Sequence, residues 1–427
     1  MIRTTSSDAF LLGLESLMRR SGQGSHLAAT VVQLAGKLDP DAIRKAADSL
    51  GHRHPLLHAR LRRSLVTFAA GWLPGPPAAV PVVIHETGDL PEIVKRILNS
   101  TSIDIFRPGP NLEIHLLPQG ENHTLILLWP HALFDAVGID KLIAELDSID
   151  PQPRHDWGET TTASGSAAAL WKTAHPVIQE MRTFPAANIR SLHQPRRTPG
   201  AACFQVLAFS HGDTQSIHTK MAQTVGELLK IPYFAALSAR AIAEVIRSRD
   251  AEPPDILLSL PIQRTPNPTA RPLFQNHMVA WSLLLPHHQL DTLATATMAL
   301  CRSYASFRKR GLPAAMEALT KLNERCPSRL YLLPIKHYLK GEITSLFHSH
   351  VGHLAAPTET LFTRPILNAW HVPSVSTPPG IGIFFSERNA RLTCTLSWRD
   401  GSLNATELLT LREQLLADLG VQAPLSP

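Results

Sequence analysis

Thr124-Leu125-Ile126-Leu127-Leu128-Trp129-Pro130-His131-Ala132-Leu133-Phe134-Asp135-Ala136-Val137-Gly138 is the stretch on which the reading of this chain turns. The unbroken apolar run from Leu125 to Trp129 is the mark of a strand buried on both faces, and Pro130 closes it. Beyond Asp135 the period changes. Ile139, Leu142, Ile143 and Leu146 recur at i, i+3, i+4 and i+7, which predicts an amphipathic helix packed on the sheet. His131 therefore stands at a strand end, where an imidazole can enter a cleft while an acid four residues on fixes the turn from behind. Spacing alone means little, because about one His-x-x-x-Asp pair is expected by chance in a chain of this composition. Three occur. His85 with Asp89 lies in a polar Glu-Thr-Gly turn and His287 with Asp291 opens a surface-like helix. Only His131 has the buried strand before it, the amphipathic helix after it and Gly138 nearby to admit a close backbone approach.

Working outward, Asp8 to Arg19 carry a helical pattern and Leu27 to Leu34 read as a strand. Asp39 before Pro40 is an N-cap followed by proline at the first helical position, and the helix it opens ends near Gly51. Strands are predicted through Leu65, at Val80 to Ile84, at Leu112 to Pro118 and at Thr124 to Trp129, with a helix from Pro91 to Leu98. From Asp150 the composition shifts to Pro, Ser, Thr, Gly and Ala, the mark of a crossover. The second half alternates strands and helices in the same manner, with strands at Cys203 to Phe209, Ile256 to Leu260, His277 to Leu285, Ile381 to Ser386 and Leu392 to Trp398. Its helices run from Thr214 to Leu229, Tyr233 to Arg247 and Leu290 to Arg308, then in segments to about Leu339, and close with Asn404 to Leu419 before Gly420. The expected division is residues 1–150, a linker at 151–200, and residues 201–427, two α/β units of comparable kind with a pocket between them.

With 427 residues, 44% of them hydrophobic and 18% charged, the chain has apolar material for two cores. No apolar run approaches the roughly 18–20 residues of a membrane span, and the N-terminus lacks a basic segment followed by an apolar one, so a cytoplasmic location is expected. Cys203, Cys301, Cys326 and Cys394 are scattered without a CxxC pair, which argues against a zinc site or a disulfide framework. The net charge of +6 suits a phosphate-bearing substrate such as coenzyme A as well as a nucleic acid or an anionic lipid. Basic residues are not interleaved with aromatics, and Arg182, Arg190, Arg196 and Arg197 sit in the Pro-rich linker, so no nucleic-acid partner is expected.

The run from Asp104-Ile105-Phe106-Arg107-Pro108-Gly109-Pro110-Asn111-Leu112 through Leu117, followed by Thr124 to Gly138, resembles the condensation-domain, wax ester synthase and chloramphenicol acetyltransferase superfamily, with its acidic-aromatic start, Gly-Pro-Leu step, two strands and HHxxxDG. Further matches lie in order: Ser7-Asp8, Gly36-x-Leu38-Asp39, Arg53-His54-Pro55-x-Leu57-x-x-Arg60, Leu260-Pro261-Ile262-Gln263-Arg264, Phe274-Gln275-Asn276 and Leu396-Ser397-Trp398. The resemblance covers nearly the whole chain. It implies an α/β fold of two acetyltransferase-like subdomains, each a mixed sheet with helices, arranged as a V-shaped pseudo-dimer. It also implies an acyltransferase of lipid or secondary metabolism: an acyl group passes from a thioester, on coenzyme A or a carrier protein, to a small-molecule hydroxyl or amine, with no cofactor and no metal. His131 would be the general base, and Asp135 would hold the turn by an ion pair with Arg264, clamping the two halves together. Asn276, Gly138 and Ser397 are candidate substrate-binding positions, with Asn368 and His371 as further polar candidates.

Pro130, Ala136 and Gln275 stand where the family has histidine, glycine and glycine. They motivate the alternative of a catalytically degenerate protein that binds an acyl ligand or a carrier protein as a scaffold, and peripheral membrane contact is compatible with either reading. A metal hydrolase built on His131 and Asp135 lacks the about three clustered ligands that zinc catalysis uses.

Overall fold

The computed structural model describes the chain except for residues 65–68, 151, 155–156, 158–165, 195–199, 251, 264–271, 325, 355–357 and 423–427. The first half contributes the strands β1 (Leu27–Leu34), β2 (Val82–Ile84), β3 (Glu113–Gln119) and β4 (Asn122–Pro130). The second contributes β5 (Ala202–Ala208), β6 (Ile256–Gln263), β7 (Met278–Leu285), β8 (Leu346–His353), β9 (Thr360–Leu361), β10 (Arg364–Pro373), β11 (Ile381–Arg388) and β12 (Arg391–Arg399). They form two mixed six-stranded sheets in the orders β9-β10-β1-β4-β3-β2 and β7-β6-β8-β11-β12-β5. A small three-stranded sheet of residues 2–3, 60–63 and 70–73 lies beside them. The α/β class with a mixed sheet in each half is as the sequence implies.

β4 is buried along its length as the apolar run requires: Leu125 to Leu128 are fully buried and Trp129 nearly so. Burial of each such leucine side chain stabilises the fold by roughly 1.5–3 kcal/mol. Helix α1 (Ser6–Arg20) opens with a capping box in which Thr5 accepts from Asp8 N–H and Asp8 accepts from Thr5 N–H. Helices α2 (Pro40–Arg53) and α3 (Leu90–Leu98) are capped by Asp39 and Asp89, and α4 (Ala136–Ala144) by Asp135. Ile139, Leu142, Ile143 and Leu146 are fully buried on the face their spacing assigned.

A helix, α5 (Ala167–Met181), lies inside the stretch read as a linker. It is followed in the second half by α6 (His211–Val225), α7 (Lys230–Arg249), α8 (Leu293–Lys309), α9 (Leu312–Asn323) and α10 (Ala405–Leu419), the last capped by Asn404 and by Gly420 at φ +77°. α5 packs on α9.

One topological feature has no sign in the sequence division at 151–200. β10, from the second half, pairs antiparallel with β1 and completes the first sheet, with Trp370 opposite Val31 and His371 opposite Thr30. The crossover Ser374–Gly380 then returns the chain to the second sheet at β11. The first core accordingly mixes both halves: Ala202, Val206, Leu273, Phe274 and Trp370 are buried with Leu27, Leu127 and Trp129.

Candidate active site

Antiparallel pairing carries the chain past the end of β4 so that His131 N–H donates to His26 O at 3.0 Å. Donors alternate along a strand, so position 130 points its N side toward β3, whose pairing with β4 ends at Leu128. Pro130 therefore forfeits no ladder hydrogen bond. Leu133 N–H then donates to Pro130 O at 3.0 Å and closes the turn.

Within that turn the His131 ring lies with Nδ1 3.2 Å from Phe134 O. A carbonyl only accepts, so the Nδ1 proton is fixed there and Nε2 keeps its lone pair. The ring stacks on His26 at 5.1 Å between centroids and meets the edge of Trp129 at 5.5 Å, and the residue is only partly exposed. Burial lowers the His131 pKa below the ordinary imidazole value, opposed in part by its backbone hydrogen bonds and by the Asp135 charge. The result is a neutral imidazole at pH 7 with an available acceptor nitrogen, the form a general base requires.

Asp135 does not share that opening. Its Oδ1 accepts from Gly138 N–H at 2.9 Å, capping α4, and its Oδ2 accepts from His277 N–H at 3.2 Å. The carboxylate thus ties the turn to the second half through a backbone amide. Arg264, the partner implied by the resemblance, lies outside the described residues. The same segment is stitched on by Gln275 N–H to Leu133 O at 2.8 Å, by a parallel bridge between Phe134 and Gln275, and by Asn276 Nδ2 to His131 O at 3.0 Å.

Gly138 is a point of close backbone approach between the halves. A Cβ there would lie 2.2 Å from the Leu273 carbonyl oxygen, so the glycine serves this backbone contact, and no substrate reaches it from that side. Ala136 is the first residue of α4 with ordinary helical backbone, and nothing in its conformation demands glycine. Gln275 differs: its φ of +77° is the left-handed region, and its side chain compensates by donating to Arg3 O at 2.6 Å.

Asn276 has both Nδ2 hydrogens committed, to Asp8 Oδ1 at 3.0 Å and to His131 O, which leaves none for a substrate oxyanion. Its side chain links the Asp8 carboxylate to the His131 backbone. Ser397 is buried on β12 with its Oγ unpartnered among the described residues, and Asn368 accepts locally from Ala369 N–H. His371 joins a chain behind His131: Trp129 Nε1–H donates to Thr30 Oγ1 at 2.9 Å, and the Thr30 hydroxyl shares a hydrogen bond with His371 Nδ1 at 2.8 Å. Burial pushes the His371 pKa down to about 3, and His26 is also held well below the ordinary range by burial and by its neighbours His131 and Arg399. All three imidazoles are neutral at pH 7. His26 carries no local signal in the sequence, since only strand pairing brings it to His131.

Asp8, fully buried, accepts from Asn276 N–H at 2.9 Å, from Asn276 Nδ2 and from Thr5 N–H at 2.7 Å. Burial outweighs these donors and raises its pKa from 3.8 to about 6. The folded state therefore binds this proton more tightly than the unfolded state, and stability falls as pH rises from about 4 to about 6, by roughly 3 kcal/mol. The buried histidines act in the opposite direction. Urea unfolding of the wild type and Asp8→Asn between pH 4 and 7 separates the two contributions, because only the wild type titrates at this position. The stability of the wild type relative to Asp8→Asn is expected to decline as pH rises across that window.

The other His-x-x-x-Asp pairs stay apart from the site: the His85 ring stacks on His115 while Asp89 caps α3, and His287 contacts Asp255 at 3.2 Å. A depression of about 690 Å³ between α6 and α7, lined by His218, Met221, Glu227 and Lys230, includes none of the residues around His131. Among the described residues no three His, Cys, Asp or Glu side chains gather as metal ligands, and no helix is long and apolar enough to cross a membrane.

No family model matches the chain, and no curated protein matches it. Solved structures do. A trichothecene 15-O-acetyltransferase from Fusarium sporotrichioides superposes with a TM-score of 0.70 at 12% identity, over 98% of this chain and 94% of that one. The first condensation domain of the calcium-dependent antibiotic synthetase, in complex with a substrate analogue, gives 0.67 at 15% identity over 98% and 96%. Polyketide synthase associated protein 5 from Mycobacterium tuberculosis gives 0.62 at 15% identity over 98% of each chain. At such identities the likeness shows the fold: this chain has the two-subdomain architecture of condensation domains and of a chloramphenicol acetyltransferase-like acetyltransferase.

Proposed function

We propose that the chain is an acyltransferase that moves an acyl group from a thioester, on coenzyme A or a carrier protein, to a hydroxyl or amine, with His131 as general base. The observation that carries this reading is the His131 ring, pinned at Nδ1 by the Phe134 carbonyl and open at Nε2. In the reaction Nε2 takes the proton of the acceptor as its oxygen or nitrogen attacks the thioester carbonyl. Collapse of the tetrahedral intermediate expels the thiolate, which leaves as thiol with the proton returned from His131. Asp135, Asn276 and Gly138 hold the turn and the opposing segment in register and touch no reacting atom. The sharing of this fold with an acetyltransferase and with condensation domains supports the reading.

The test follows free thiol release from short- and long-chain acyl-coenzyme A and from acylated carrier protein, with mixed alcohols and amines as acceptors. Acceptor-dependent release is expected, and its kcat/KM should hold as pH falls through 6.5, because the base has a pKa below the ordinary imidazole value. Stoichiometric binding of an acyl carrier without any turnover would instead favour the scaffold reading.

A further inference from the structure

Among the described residues three arginines are buried almost completely, and two of them are well partnered. Arg53 gives Nε to Asp150 O at 2.8 Å, Nη1 to Glu145 and Nη2 to Ser148 O. Arg388 gives its Nη groups to Leu354 O and Thr358 O and faces the charges of Glu359 and Asp140. Arg399, only 2% exposed, gives Nε to Val375 O at 2.7 Å. Among the described residues neither of its Nη groups meets an acceptor, and no carboxylate pairs with it. A guanidinium held largely out of water without a counter-charge is unfavourable, and in folded proteins such a charge is ordinarily matched by an acid or a ligand.

Its place in the fold says which ligand. Val375 lies on the crossover Ser374–Gly380, and that crossover is fastened to the His26 end of β1. Ser374 N–H and Oγ both donate to Leu27 O, at 2.9 and 2.7 Å, and Gln23 and Thr377 exchange two hydrogen bonds. The Arg399 charge reaches His26, and the His26 ring stacks on His131. His26 Nδ1 and Thr377 Oγ1 are buried polar atoms without a partner among the described residues. Because His26 is neutral, the locality carries one positive charge, and one singly charged anion balances it. With Nε committed to Val375, the two Nη groups remain as donors to a planar anion.

We propose that Arg399 anchors an anion subsite, on the His26 side of His131, that takes a carboxylate carried by one of the two substrates. The identity of those substrates rests on the acyltransferase reading above. The subsite itself does not, and it is tested first without turnover. Formate is the smallest carboxylate. Its effect on the melting midpoint is compared with that of chloride at equal ionic strength, for the wild type, Arg399→Gln and Arg399→Lys. The expected result is a saturable rise with formate in the wild type that is weakened in Arg399→Lys and lost in Arg399→Gln. No formate effect in the wild type, or an equal one in the variants, overturns the proposal. Should Arg399→Gln fail to fold, the wild type and Arg399→Lys still decide it.

Turnover then locates the carboxylate. Hydroxy and amino acids are compared with their amides as acceptors, and succinyl with butyryl thioesters as donors. A preference of at least tenfold in the acceptor arm assigns the carboxylate to the acceptor, and one in the donor arm to the acyl chain. Either must collapse toward unity in Arg399→Gln; a preference unchanged by the substitution counts against the subsite. An Arg399-dependent formate effect with no thioester consumed under any condition leaves the subsite standing and removes the acyltransferase reading.

Discussion

His131→Ala is expected to lower acceptor-dependent thiol release by about 10²- to 10⁴-fold, the range a positioned general base contributes. The loss should fall on kcat. The ring's contacts are with His26, Trp129 and the Phe134 carbonyl, and the turn that carries it is held by hydrogen bonds to its main chain that do not involve the imidazole: His131 N–H to His26 O, Leu133 N–H to Pro130 O and Asn276 Nδ2 to His131 O. Removing the ring therefore deletes the base and leaves its cradle. Circular dichroism and the melting midpoint check that the fold is retained, and His131→Gln serves as a second variant that fills more of the space. Turnover within threefold of wild type in both folded variants would show that His131 is not the base.

Gly138→Val is expected to destabilise the protein by about 3 kcal/mol, the upper part of the range for forced overpacking. The atom a Cβ would strike is the Leu273 carbonyl oxygen at 2.2 Å, a backbone atom that cannot rotate aside. Leu273 cannot retreat alone either, because Gln275, Asn276 and His277 are each hydrogen-bonded to the turn around His131. Relief must come from prying that segment away, so turnover should fall together with the urea midpoint. Ala136→Gly provides the contrast. That residue has ordinary helical backbone and is partly exposed, and its replacement costs about 0.5–1 kcal/mol in helix stability without altering the contact between the halves. If the two substitutions had equal effects, the close approach at Gly138 would not be what fixes the site.

What the sequence made legible was local. β1 is recovered from end to end, and α10 with its closing Gly420, because each rests on a pattern contained within one short window. His131 and its turn were readable for the same reason: apolar strand, His131, Asp135 and amphipathic helix are consecutive. β8 and β10 were not readable. β8 places histidines at 348 and 350 where alternation would put apolar residues, and His348 is nonetheless buried, satisfied at Nδ1 by Ser238. β10 has Pro365 and Pro373 near its ends and an irregular register between Ile366 and Asn368, so its residues do not alternate in the simple period of a strand. Likewise the His277 amide bonded to Asp135 and the His26 ring stacked on His131 lie far from them in sequence. Both are consequences of long-range pairing that no window contains.

The pairing of β10 with β1 also bears on how the chain is made. Thr30 and His371, hydrogen-bonded across that junction, are 341 positions apart. During synthesis the first sheet emerges with β1 as an open, apolar edge, and its cover arrives only when most of the polypeptide has left the ribosome. An uncapped edge of this kind is a template for pairing with other chains. Residues 1–150 expressed alone should therefore be a poor fold and a ready aggregator, while a separately supplied segment containing Arg364–Pro373 should rescue their solubility by adding the missing strand in trans.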